Sequence, residues 1–130
     1  MTHPKLDHLT FNVKNYEQSK AFYGKYFNLM EKETGETEGR PWGILGDQNS
    51  FFVCLYETDD PGLTANIENS PFKHFGVYVE NFDEFVERAK LDQIEYLFDG
   101  VFKYPKSRSF YIKDPNGYTI EVTDSFGGGL

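Results

Sequence analysis

SRSFYIKDPNGYTIEVT, residues Ser107 to Thr123, is the stretch from which the rest of the chain can be read. Tyr118, Ile120 and Val122 alternate with Thr119, Glu121 and Thr123, the period-two pattern of a strand with one apolar and one polar face. Ser107 to Lys113 reads as the strand before it. Asp114-Pro115-Asn116-Gly117 joins the two through a tight turn: Pro sets φ at the second position, and Asn-Gly accepts positive φ. Glu121 is therefore placed mid-strand on the face opposite Ile120 and Val122. A carboxylate there needs water, a cation or a metal ion as its partner, and a solvated sheet face is the commonest of the three.

Upstream, Phe72 to Glu80 (FKHFGVYVE) alternates with Phe75, Val77 and Val79 opposite His74, Gly76 and Tyr78. Phe82 to Leu91 carries Phe82, Phe85, Val86 and Ala89 on one side of an amphipathic helix. Glu95 to Phe98 is a short strand candidate, and Asp99 to Lys106 a loop. The first half repeats this order. Leu6 to Val13 (LDHLTFNV) is a half-buried strand with His8, Thr10 and Asn12 on its polar face. Asn15 is a suitable N-cap for a helix over Tyr16 to Phe27, whose Phe22, Tyr23, Tyr26 and Phe27 recur on one side. Leu29 to Glu36, Pro41 to Gly46 and Phe51 to Glu57 read as strands, with a turn at residues 46–49. Each half is β-α-β-β-β: a module over 5–57 and a module over 72–124. Residues 58–71, dense in Pro, Gly, Asn and Asp, form the connection, and the whole of 1–130 makes a single domain.

The halves align at a constant offset of 66 residues. His8, Val13, Asn15, Tyr16 and Glu17 fall against His74, Val79, Asn81, Phe82 and Asp83. Such a repeat is a structural signal in its own right, and it gives His8 and His74 equivalent positions. If a pseudo-twofold relates the modules, both histidines face one cleft.

With 130 residues, 18% of them aromatic, the chain has ample material for a core, and only the tail from Ser125 to Leu130 is expected to fray. A net charge of −8 argues against binding to nucleic-acid backbones or anionic membranes, which draw affinity from clustered Lys and Arg. The single Cys54 rules out an intramolecular disulfide. There is no signal-peptide pattern and no apolar run long enough to span a bilayer, so a cytoplasmic location is the default.

The polar strand faces thus offer His8, His74 and Glu121. Singly, each is ordinarily a hydrogen-bonded or solvated residue. Together, two imidazoles and one carboxylate suit a divalent ion with open positions: Zn, Mn, Ni or Fe(II).

The LDHLTFNV start, its HFGVYV repeat and SFYIKDPNGYTIEV resemble the vicinal oxygen chelate superfamily, which includes glyoxalase I, fosfomycin thiol transferases, extradiol dioxygenases and bleomycin-binding proteins. The resemblance covers nearly the whole chain, and DPNG-x-x-x-E is its most specific part. It implies an α+β fold in which two βαβββ modules form an incompletely closed, U-shaped mixed β-sheet barrel, in homodimers. It also implies that His8, His74 and Glu121 are the metal ligands, with the metal as Lewis acid toward vicinal oxygens.

Glyoxalase I enzymes carry Glu or Gln on the fourth strand, where this chain has Cys54; Glu57 has the opposite parity and needs a bulge to reach that face. Fosfomycin thiol transferases share His8-Leu9-Thr10 and Ser109-Phe110-Tyr111, which casts Thr10 and Tyr111 as catalytic and Ser109 as substrate-binding, with a thiol as cosubstrate. They also carry an Arg beyond the last Glu, which is missing here; Lys103, Lys106 and Arg108 are the local basic cluster. Extradiol dioxygenases add a His or Tyr acid–base group; His3 lies close to the N-terminus, and Tyr78 or Tyr111 is suitably placed. Cys54, Tyr56, Tyr78 and Ser109 complete the substrate lining. The resulting expectation is a lyase, thiol transferase or dioxygenase acting on a small vicinal-oxygen substrate. The alternative is a metal-free module of the bleomycin-resistance type, with Trp42, Phe52, Tyr56, Tyr78 and Tyr111 as stacking surface.

Overall fold

The computed structural model describes residues 4–48, 51–64 and 71–130. His3, the end of the turn at 46–49 and residues 65–70 of the 58–71 connection lie outside them. The chain divides into two compact units, Met1–Ala65 and Asn66–Leu130.

In the first unit β1 (Leu9–Val13) leads into α1 (Tyr16–Phe27), followed by β2 (Met30–Thr37), β3 (Arg40–Gly46) and β4 (Phe52–Glu57), then a single turn of helix, α2 (Pro61–Thr64). The sheet order is β1-β4-β3-β2, with β1 parallel to β4 and the other pairs antiparallel. Asn15 caps α1 by accepting from the Gln18 amide at 2.8 Å. Asn28, at φ 57, closes the helix in the left-handed region. The buried side of α1 presents Tyr16, Ser19, Phe22 and Tyr23 to β3 and β4, where Leu45, Val53 and Leu55 are wholly buried.

Glu57 keeps the parity of its strand, with no bulge in the β4 pairings. One carboxylate oxygen accepts from the Tyr16 amide at 2.9 Å and the other from Arg40 at 3.1 Å. A carboxylate on the first amide of α1 complements the positive end of the helix dipole, so Glu57 secures the helix to the sheet.

The second unit repeats the plan: β5 (Phe75–Tyr78), α3 (Phe82–Leu91), β6 (Phe102–Lys103), β7 (Arg108–Lys113) and β8 (Thr119–Thr123), in the order β5-β8-β7-β6 with β5 parallel to β8. Phe82, Phe85, Val86 and Ala89 of α3 are buried, as are Phe110, Ile112, Ile120 and Val122 of the sheet. Both units are thus open, mixed four-stranded sheets carrying a helix, in an α+β arrangement. The β7–β8 turn is built on Asp114. One oxygen accepts from the amides of Asn116 and Tyr118 at 2.8 and 2.9 Å, and the other from the Asn116 side-chain amide at 3.1 Å.

Four expectations are corrected. The strand expected at Glu95 to Phe98 is reduced to an isolated bridge between Tyr96 and Ile112, and β6 forms inside the supposed loop. The cause is local: Gln93, Phe98 and Asp99 all take positive φ, which breaks an extended run. Asn81 repeats Asn15 in sequence but not in action: at ψ 62 rather than 114, its side chain makes no cap hydrogen bond. The tail takes a defined course rather than an extended one: Phe126–Gly129 turns through Gly127 and Gly128, whose φ of 65° and 72° lie outside the helical region and are open to glycine at little cost. Finally, His8 and His74 do not lie within their strands. Each immediately precedes the first strand of its unit, so the equivalence holds one residue upstream of the ladder.

Arg108 secures the end of β7. Its amide and its Nε donate to the two oxygens of Asp124 at 2.8 and 2.9 Å, its Nη1 donates to Asp83 at 3.0 Å, and its guanidinium lies 4.8 Å from the centre of the Phe82 ring. The amide and guanidinium bonds hold the Asp124 carboxyl below the usual aspartate range. Their stabilisation is complete above the ordinary aspartate pKa and fades as pH falls through the depressed one. Asp124→Asn accordingly lowers the thermal midpoint at pH 7, and melts across a pH series converge with those of the native protein as the acid limit is approached.

Candidate functional site

Register decides which side chains share a face. In the second unit Glu121 pairs with Gly76 on one side and Tyr111 on the other, and Thr123 pairs with Tyr78 and Ser109. All of these lie on the sheet face away from Ile120 and Val122, together with His74. His74 Nε2 donates to Glu121 Oε1 at 2.9 Å, and Ser109 Oγ donates to Glu121 Oε2 at 2.6 Å. The Tyr111 ring stands edge-on to His74, 5.6 Å between centres, its hydroxyl bonds to that of Tyr104, and its residue pairs with Glu121 across the β7–β8 ladder. Burial, then the Tyr104 bond and the Glu121 charge, push the Tyr111 phenol well above its usual range. Tyr111 is therefore a hydrogen-bond donor throughout the physiological range rather than a phenolate. Ser109 is fully buried and turned to Glu121, where it fixes the carboxylate.

Next to this network a cleft of about 250 Å³ opens between Gly76, Tyr78, Glu121 and Thr123 on the sheet and Phe126 and Gly127 of the tail. Tyr78 and Phe126 meet edge to face at 6.3 Å. The tail that was expected to fray thus forms one wall of the cleft onto which Glu121 opens.

In the first unit the corresponding face carries Thr10, Cys54 and Tyr56. Thr10 pairs with Cys54, the place in the ladder that Gly76 and Glu121 occupy in the second unit. Cys54 is buried, and burial pushes its thiol above the usual value. Cys54 is thus a protonated packing group at neutral pH. Trp42 and Tyr56 stack at 5.8 Å and 23°, and Gly35 leaves space for the indole across β2: a Cβ there would meet it at 2.8 Å. His8 is half exposed, and its Nδ1 donates to Asp7 at 2.8 Å.

The structure thus gathers His74, Ser109, Tyr111 and Glu121 in one unit, with Tyr78 across the cleft, and Thr10, Cys54 and Tyr56 in the other. Among the described residues no group of three or more His, Cys, Asp or Glu side chains forms a ready metal-binding cluster. Sequence reasoning missed Tyr104. Its only signal was aromatic density in a loop, and its link to Tyr111 depends on β6 pairing with β7.

A profile of the Glyoxalase/Bleomycin resistance protein/Dioxygenase superfamily matches residues 5–122. The chain belongs to this superfamily. Solved structures share its fold at low identity. A glyoxylase/bleomycin resistance protein/dioxygenase domain from Frankia sp. EAN1pec aligns over 95% of this chain and 99% of its own, with a TM-score of 0.79 and 16% identity. The genomically encoded fosfomycin resistance protein FosX from Listeria monocytogenes, complexed with Mn(II) and sulfate, aligns over 97% and 96%, with a TM-score of 0.72 and 20% identity. A glyoxalase family protein from Enterococcus faecalis aligns over 92% and 97%, at 0.74 and 17%. No helix among the described residues is long and apolar enough to cross a membrane.

The protonated, buried state of Cys54 sets an expected rate. Iodoacetamide at pH 8 labels native protein at least about tenfold more slowly than protein unfolded in urea, by mass spectrometry, because the thiolate is the reacting form. Equal rates would contradict this placement.

Proposed function

We propose that the chain is a divalent-metal-dependent enzyme acting on a small substrate with vicinal oxygens, and that His8, His74 and Glu121 are its metal ligands. The observation carrying this reading is the convergence of an imidazole nitrogen and a carboxylate oxygen, 2.9 Å apart, with the second carboxylate oxygen fixed by a buried serine. The donors fit a divalent ion in kind: neutral nitrogen and anionic oxygen, with a hydroxyl orienting the carboxylate from behind, as outer partners of metal ligands do. His8, which precedes β1 as His74 precedes β5, supplies the third ligand. An ion held there supplies Lewis acidity toward the substrate's oxygens.

The surrounding residues act by placement. Ser109 keeps Glu121 from rotating, and Tyr104 keeps the Tyr111 hydroxyl directed at the site. Tyr111 donates a hydrogen bond to the bound substrate, Thr10 presents a hydroxyl from the first repeat, and Tyr78 walls the cleft. Tyr56 and Cys54 shape the first-unit surface, and a homodimer is the expected assembly. A Glu-to-Gln mutant of FosX has also been solved with Mn(II) and 1S,2S-dihydroxypropylphosphonic acid, which makes Mn(II) the first ion to offer. Fosfomycin itself fits poorly, because Arg108 is already engaged by Asp83 and Asp124. A lyase or a transferase using a thiol cosubstrate remains within the class. The stacked Trp42 and Tyr56 favour a second reading, metal-free capture of a planar apolar ligand.

Elemental analysis decides between them. After dialysis against Mn, Zn, Ni and Fe(II), wild-type protein is expected to retain about one ion per chain. Glu121→Ala and His74→Ala lose it, and Ser109→Ala binds roughly 10–100-fold more weakly. Wild-type protein that retains no ion contradicts the enzymatic reading.

A further inference from the structure

Beside the Glu121 network the second unit exposes three aromatic rings. Phe98 is 64% exposed, Phe102 43% and Tyr104 42%, while the apolar residues of the sheet's other face are buried. They form one surface: Phe102 lies 4.9 Å from Tyr104 and 6.2 Å from Phe98, and Phe98 stands edge-on to Tyr111 at 5.1 Å. Tyr111 in turn stands edge-on to His74 and is the ladder partner of Glu121. A single side chain's width therefore separates the apolar surface from the two oxygen- and metal-directed groups.

We infer that Phe98, Phe102 and Tyr104 form a substrate subsite that takes an aromatic ring attached next to the substrate's vicinal oxygens. The inference rests on the proposed role of His74 and Glu121, and a second observation supports it. Phe98 and the following Asp99 take φ of 59° and 58°, a conformation disfavoured for a bulky side chain. Backbone bonds hold that turn in place, from the Leu97 amide to Tyr111 and from the Gly100 amide to Leu97. A glycine would suit such a backbone better, and strain of this kind collects where a side chain is being presented. What the backbone presents here is a ring to solvent beside the site.

The occupant is a small ring rather than another protein. Three half-exposed rings offer on the order of 300 Å², well below the roughly 800 Å² per partner of a stable interface. Arg108, three residues before Tyr111 in the same strand, is engaged by Asp83 and Asp124.

Mandelate and lactate test the proposal, because both carry vicinal oxygens and differ in a phenyl against a methyl group. Titration followed by amide NMR, on metal-free and on Zn(II)-loaded protein, should show mandelate binding about tenfold or more tightly than lactate, with shifts at Phe98, Phe102 and Tyr104. The double variant Phe98→Ala/Phe102→Ala should bring the two affinities together and leave lactate binding unchanged. A ring preference in metal-free protein that zinc does not strengthen supports the subsite while counting against the metal-dependent reading. Equal affinities in wild type, or a preference that survives in the double variant, overturn the subsite. So does a double variant that changes sedimentation while wild type shows no preference, since the patch then joins copies of the chain.

Discussion

A carboxylate in the middle of a β-strand is the constraint around which the second unit is arranged. The Glu121 side chain is three-quarters covered, at 24% exposure, and a carboxylate so placed is costly unless its oxygens are bonded. The sheet register supplies the bonds. Parallel pairing with β5 places side-chain-free Gly76 beside Glu121 and brings His74 to one oxygen. Antiparallel pairing with β7 puts Tyr111 alongside and Ser109, two pairs along, on the other oxygen. A one-residue slip of either pair would turn these groups to the opposite face. The apolar core of Phe110, Ile112, Ile120 and Val122, on the reverse of the same strands, opposes such a slip. Stability and function are therefore joined through a single register.

The same ladder in the first unit shows how a repeated scaffold diverges. Where the second unit sets Glu121 opposite Gly76, the first sets Cys54 opposite Thr10. One half carries charge and donors, the other a protonated thiol, a hydroxyl and a stacked Trp–Tyr pair. Glu57, the nearest acidic residue in β4, is turned to the helix and to Arg40 instead. Ligand chemistry is thus divided unequally between two similar folds.

Much of this was legible because it rests on short-range pattern. Alternation identified both faces of β8, the helix over Phe82 to Leu91 matches its aromatic spacing, and Asp114-Pro115-Asn116-Gly117 forms the expected turn. The 66-residue repeat identified His8 and His74 as equivalent, although both sit one residue before their strands. What escaped depends on long-range contact or on backbone states with no residue signature. Two-residue β6 has no period to detect. Phe98 and Asp99 enter the left-handed region without the glycine that would announce it. Arg108 read as part of a basic cluster because Asp83 and Asp124 meet it only in three dimensions. Asn81 repeats a capping residue in sequence, yet the backbone around it does not aim its side chain at the helix amides.

The most direct test of the central claim, that one ion draws on a histidine from each repeat, is imidazole NMR during titration with Zn(II). The account predicts that His8 and His74 shift together, saturate at the same equivalence point and follow one binding curve, while His3 stays unchanged. If His74 shifts alone, or neither shifts, the two repeats do not share an ion and the proposed ligand set is wrong.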